Sequence, residues 1–163
     1  MKKDIIEFVN SLDCVTHSKV LPTMEEIKAA EEKLGVKFAD DYVKCLLNYG
    51  KLSVGSTELM GISYCDTSSQ RSINEYQNTD VVYQTLLLKD LECHAHIPKN
   101  MYVIDDLDID MCLIWQDETG AVYSTMPWSG PQKEADSLVD YLEMCYEEYN
   151  LYMSEDWDDD DDE

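Results

Sequence analysis

Cys93-His94-Ala95-His96 places one thiol and two imidazoles in adjacent positions of the chain. Thiolate and imidazole are good zinc ligands, and two histidines at alternate positions of a strand share one face. A closed zinc site needs a fourth ligand, and no second Cys/His pair stands at ligand spacing. The segment is read as a polar loop entering Pro98, with Cys93, His94 and His96 the weak metal candidates. Asp106, Asp108 and Asp110 alternate like the first three ligands of a calcium loop. Such a loop turns on glycine at its sixth position, here Met111, and closes with a bidentate glutamate at its twelfth, here Asp117. Neither pattern completes, so the expectation is no metal and no cofactor. Asp105, Asp106, Asp108 and Asp110 instead form a solvated acidic loop open to a basic partner.

The residues of covalent catalysis are as sparse. The chain has no GxSxG, no P-loop and no dinucleotide fingerprint. The only side chains that titrate near neutrality without perturbation are His17, His94 and His96, all in loop-like sequence. Carboxylate pairs are so frequent in this chain that a pair carries no information. The expectation is a protein that is not an enzyme.

Charge points to a class of partner. The 163 residues carry a formal net charge of −23. Eight acidic residues and one Trp fill Glu155 to Glu163, and without them the chain keeps 12 basic against 27 acidic residues. The body is therefore acidic in its own right. Such a field repels nucleic acid and anionic membrane and steers cationic partners inward. Solubility alone is the plainer reading of the same charge.

The elements that position these residues follow from periodicity. Thr23 with Glu26 forms a capping box. Ile27, Ala30 and Leu34 continue at helical spacing, and Gly35 can take the left-handed turn that ends a helix. Tyr42, Cys45, Leu46 and Tyr49 mark one face of a second helix stopped by Gly50. Glu58-Leu59-Met60 makes a short strand between Gly55 and Gly61. Asp4 to Leu12 reads as a short helix and Cys14 to Pro22 as a connector. Ile62 and Tyr64 suggest a strand running into the polar Asp66 to Ser69.

Asn78-Thr79-Asp80 starts a helix over Val81 to Leu91, with Val82, Tyr83, Leu86 and Leu87 buried; its high apolar content also allows a strand. Met101 to Ile104, Met111 to Trp115 and Ala121 to Met126 read as strands, the last two joined at Asp117-Glu118-Thr119-Gly120. Trp115 belongs to the core. Trp128 lies in a Pro- and Gly-rich loop, either as an interface anchor or as a cap on the sheet edge. Ala135 to Tyr149 is the clearest helix. The expected architecture is α+β: one domain over residues 1–152 with a central, mostly antiparallel or mixed sheet packed by helices, then an acidic, disordered tail over 153–163. The six cysteines form no CxxC, no signal peptide is visible and no apolar run could span a bilayer, which predicts free thiols in a reducing cytoplasm.

The stretch Thr23 to Gly61 resembles the signature of the SUKH immunity superfamily, the Smi-one/Knr-four-like proteins. The residues that carry the resemblance are Glu31, Leu34, Gly35, Phe38, Asp41, Tyr42, Leu46, Tyr49, Gly50, Gly55, Glu58, Leu59 and Gly61. Ala39 departs from it, standing where the family usually has a proline that pre-sets the helix start. The resemblance implies a mixed sheet packed by helices and a non-catalytic protein that neutralises a cognate polymorphic toxin, typically a nuclease; the expected state of the chain is a monomer or weak dimer. Nucleases are cationic near their substrate phosphates, so a strongly acidic domain can associate fast and occlude that surface without touching nucleic acid itself. The contact residues expected on this reading are Asp105, Asp106, Asp108, Asp110, Asp117, Glu118, Trp128 and Glu58. The same superfamily includes domains resembling fungal regulators of cell-wall synthesis, so an intracellular adaptor is the alternative.

Overall fold

A computed structural model describes residues 3–62 and 79–155. The strand suggested at Tyr64, the loop at Asp66–Ser69 and the chain beyond Glu155 lie outside the described residues. In order along the chain stand α1 (Ile5–Asn10), β1 (Val15–His17), α2 (Met24–Leu34), α3 (Asp40–Tyr49), β2 (Leu52–Val54) and β3 (Thr57–Leu59). Then follow α4 (Val81–Lys89), a 3-10 turn (Glu92–His94), β4 (Met101–Asp106), β5 (Leu113–Asp117), β6 (Val122–Thr125), β7 (Gln132–Ala135) and α5 (Leu138–Glu155). The chain is an α+β domain, and its described strands form two antiparallel sheets, β1-β2-β3 and β4-β5-β6-β7.

The local signals work as their chemistry requires. The Glu26 N–H donates to Thr23 Oγ1 at 3.2 Å and the Thr23 N–H to Glu26 Oε1 at 3.1 Å, closing the capping box. Gly35 ends α2 at φ 66°. Signature residues then tie elements together. Glu31 Oε2 accepts the Phe38 N–H at 2.8 Å, and the Tyr42 hydroxyl donates to the Met60 carbonyl at 2.7 Å. Asp41 Oδ2 accepts the N–H of Leu138 at 2.8 Å, and its Oδ1 accepts from Gln116 Nε2 at 3.0 Å. One carboxylate thus joins α3, β5 and the start of α5. Ala39, at the proline position, donates its N–H to the Tyr102 hydroxyl at 2.9 Å, a bond proline could not make.

Every residue of β5, at the centre of the four-stranded sheet, is buried, whereas the edge strand β7 is largely exposed. Tyr102 pairs with Gln116 and Val103 with Trp115, and the register shifts between Val103 and Asp105. The extra residue of that bulge re-aims Asp105 onto the side of Ile114, its partner. Trp115, fully buried, donates its indole N–H to Thr125 Oγ1 at 2.8 Å. Phe38, Tyr42 and Tyr102 form an aromatic trio with ring centroids 4.7–5.4 Å apart, packing α3 onto β4.

Four expectations need correction. Cys14–Pro22 is not only a connector, because Val15–His17 pairs with β2 as an edge strand. Ala135 does not begin the last helix: it ends β7, opposite Val122, and Ser137 Oγ accepts the Asp140 N–H at 3.1 Å as the helix starts. That helix runs past Tyr149 to Glu155, since Asn150-Leu151-Tyr152-Met153 contains no breaker. On α4, Tyr83, Leu86 and Leu87 face outward while Val81, Val82, Gln84, Thr85 and Leu88 are buried. This helix is apolar on all sides, so periodicity could not choose its inner face. It ends at Lys89, not Leu91.

Candidate functional site

The loop after β4 is built to project side chains. Asp108, Asp110 and Met111 have φ of 57°, 53° and 57°. Aspartate tolerates this left-handed region, whereas for Met111 it is strained. The loop is held by its own bonds: the Leu107 N–H to the Cys112 carbonyl at 3.1 Å, the Cys112 N–H to Ile109 at 2.9 Å, and the Asp108 N–H to Asp106 Oδ1 at 2.9 Å. Ile109 is left 66% exposed and Met111 51%. Strain of this kind persists where the surroundings over-determine it, and it collects at ligand clamps.

Beside this loop lies a groove of about 740 Å³. One wall is the loop itself, with Leu107, Asp108 and Ile109. The second is α5, from Tyr141 through Met144, Cys145, Glu148 and Tyr149 to Tyr152 and Met153. The β2–β3 turn closes one end with Ser56, Thr57 and Glu58, and Asp105, Ile114, Ser124 and Glu134 come from the larger sheet. No Lys, Arg or His stands among the described lining residues. A second depression of about 530 Å³ shares Glu58, Asp105, Asp106 and Asp108 with the first.

Asp105 is the unusual group here. It is 4% exposed, and burial pushes its carboxyl up to about 7, with Asp106, Glu58 and Asp108 adding to the rise and the Asp106 N–H opposing it. Burial likewise raises the Tyr141 hydroxyl and the Cys112 and Cys145 thiols. Raised thiols stay protonated and are poor nucleophiles. The arrangement suits recognition of a cation and offers no activated attacking group.

The expected contact residues separate into groups. Glu58, Asp105, Asp106 and Asp108 come together at the groove, and Asp110 stands exposed on the same loop. Asp117 and Glu118 sit at the opposite end of β5, since Asp106 pairs with Leu113 and Met101 with Asp117. Asp117 is buried, its Oδ1 accepting from Thr119 N at 2.9 Å, Thr119 Oγ1 at 2.5 Å and Ala121 N at 3.2 Å. Glu118 accepts the Lys37 N–H at 3.0 Å. Trp128, 73% exposed at φ 67°, is outside the groove, its N–H donating to the Cys93 carbonyl at 3.1 Å.

The Cys93–His96 segment is not a strand but a 3-10 turn and its exit, so its histidines do not share a face. His94 is buried against Trp115 with ring centroids 6.3 Å apart, while exposed His96 meets the Ser129 carbonyl at 2.5 Å. Among the described residues no group of three or more His, Cys, Asp or Glu could hold a metal ion. Sequence reasoning missed the α5 wall by ending that helix at Tyr149, and missed Glu134 because β7 was not expected. The run Leu151-Tyr152-Met153 just before the acidic tail was the available signal.

Among the described residues, five α-helices and two antiparallel sheets make an α+β domain with an acidic groove. The family model described as SMI1-KNR4 cell-wall (SUKH_5) matches residues 3–147, and the chain belongs to that family. Comparison with curated proteins finds no match. Among the described residues no helix is long and apolar enough to cross a membrane.

Proposed function

We propose that this protein is a non-catalytic immunity protein. It binds a cognate toxin with a basic surface, a nuclease by charge logic, inside the cell that makes it, and neutralises the toxin by covering that surface. The observation that carries the reading is the meeting of Glu58 with the sequence-distant Asp105, Asp106 and Asp108 at one groove whose described lining residues include no Lys, Arg or His, on a fold of this family. Charge sets the encounter rate and apolar anchors set residence time. Asp110 extends the acidic surface along the loop. Asp117, Glu118 and Trp128 belong to the contact set only if the toxin also reaches the far end of β5 and the Trp128 loop.

The test is affinity capture with the tagged full chain from its native cytoplasm, beside a variant with Asp106, Asp108 and Asp110 changed to Asn. One stoichiometric partner with a basic nuclease-like domain, inhibited by the wild type and weakly by the variant, supports the reading. Several substoichiometric partners unaffected by the variant favour the second reading, an intracellular adaptor, which draws support from the cell-wall description of the family.

A further inference from the structure

We propose that the groove between the Asp105–Cys112 loop and the last turns of α5 seats an apolar-flanked, lysine- or arginine-bearing segment of a partner protein, with Asp105 as the acceptor on its floor. The inference deepens the interaction reading above and rests on it. Three observations carry it. Asp105 is more than nine-tenths buried, lines the groove, and feels its strongest charge effects from the acidic groups Asp106, Glu58 and Asp108. A buried carboxylate is costly to ionise, and an incoming ammonium or guanidinium reduces that cost. Both walls also present exposed apolar side chains: Ile109 at 66% on the loop, and Tyr152 at 64% and Met153 at 43% on α5. These can cover the methylene stem of Lys or Arg, and Tyr152 adds a ring face for the cation. Finally, the volume lies in the range of clefts that hold ligands.

Other occupants fit less well. Nucleic acid and anionic lipid are repelled by the lining charge. A second copy of a chain at −23 would bring its own repulsion. Bare metal ions lack a ligand set among the described residues. The α5 wall beyond Glu147 lies outside the residues matched by the family model.

The probe is a fluorescein-labelled helical peptide with one Leu face and one Lys face, titrated against the full chain by anisotropy. Two control peptides replace Leu by Ser or Lys by Glu. The expected result is saturable one-to-one binding of the Leu/Lys peptide, with the Ser/Lys peptide at least about tenfold weaker and the Leu/Glu peptide silent. Asp105→Asn, and separately Ile109→Ser with Tyr152→Ser, weaken binding at least about tenfold, while Glu25→Gln with Glu32→Gln on α2 leaves it within about twofold. The Ile109 and Tyr152 changes lie on exposed positions, so they keep the test open should Asp105→Asn fold poorly. No binding, equal binding of the Ser/Lys peptide, or equal loss in the α2 variant overturns the proposal. A captured toxin that is lost with Asp106, Asp108 and Asp110 but retained with Asp105→Asn and the Ile109/Tyr152 pair sinks the groove and leaves the immunity reading standing. Peptide binding at the groove with no toxin captured does the reverse.

Discussion

The ring of Tyr149 lies across Gly55, so closely that a Cβ on Gly55 would stand 2.7 Å from Tyr149 Cγ. This contact seats the β2–β3 turn against α5 and so fixes the end of the groove where Glu58 sits. Gly55 also has φ 60°, which L side chains seldom adopt. Gly55→Ala is expected to destabilise the fold by about 1–3 kcal/mol through steric conflict and backbone strain. Urea unfolding of the single variants and of Gly55→Ala with Tyr149→Ala checks this. The double variant should lose less than the sum, because removing the ring leaves only the backbone cost.

Asp41 supplies a second prediction. Its carboxylate accepts from Leu138 N and Gln116 Nε2, so Asp41→Ala strips both bonds and leaves the partly buried start of α5 without its acceptor. The expected loss is about 2–4 kcal/mol, with Asp41→Asn losing less because an amide oxygen can still accept one bond. Denaturant midpoints at constant slope are the measurement.

His94 predicts an acid-side loss of stability. Both of its ring nitrogens are buried without a hydrogen bond, and burial, with help from His96, holds its pKa below the usual 6.5. The unfolded chain therefore binds a proton that the native state refuses. Stability contributed by neutral His94 is present above about pH 6.5 and is lost as pH falls through the depressed native value. His94→Phe should flatten that limb of the pH–stability curve. A curve unchanged by the substitution would show that His94 does not titrate with folding.

Asp105 acts with the opposite sign. Its native carboxyl titrates at about 7 against 3.8 for the ordinary group, so between those values the native state holds the extra proton. Stability is greatest below the unfolded value and falls as pH rises through about 7. Asp105→Asn, which mimics the neutral acid, should raise the thermal midpoint at pH 8 and change it little at pH 4. An equal shift at both pH values would point to packing rather than ionisation.

For the proposed partner, raising salt should slow association far more than it speeds dissociation, since exposed charges steer over roughly a Debye length. Stopped-flow mixing with the captured partner reads this, and an on-rate indifferent to salt counts against steering. Deleting Asp156–Glu163 should leave the affinity nearly unchanged if those acids serve solubility; a large loss would place them in the interface.

Much of this fold was legible because its signals are local. The Thr23/Glu26 box, Gly35 and the stripe Tyr42, Cys45, Leu46 and Tyr49 each act within a few residues, and each appears where its chemistry places it. The β5–β6 hairpin was readable for the same reason. β1 and β7 were not: the three residues of β1 pair with Val54 to Leu52, far along the chain, and β7 is the four-residue edge segment Gln132-Lys133-Glu134-Ala135, which pairs with nearby Val122 to Ser124 but carries no apolar alternation to mark it. The inner face of α4 was equally hidden, because Tyr83, Leu86 and Leu87 are as apolar as the residues they flank. In the groove, the acids of one loop were evident as a cluster. Their meeting with Glu58 and with the end of α5 depends on tertiary packing that no spacing encodes.

The bulge between Val103 and Asp105 confines the buried part of the acidic segment to a single residue, and everything from Asp106 to Met111 stands free of the core. The outer wall, Leu151 to Met153, is similarly free. Substitutions at either place touch no packed layer, so the surface can drift through sequence space while the scaffold stays constant. A lineage of such domains could change what it recognises by editing two short exposed segments, with selection on folding nearly blind to the change.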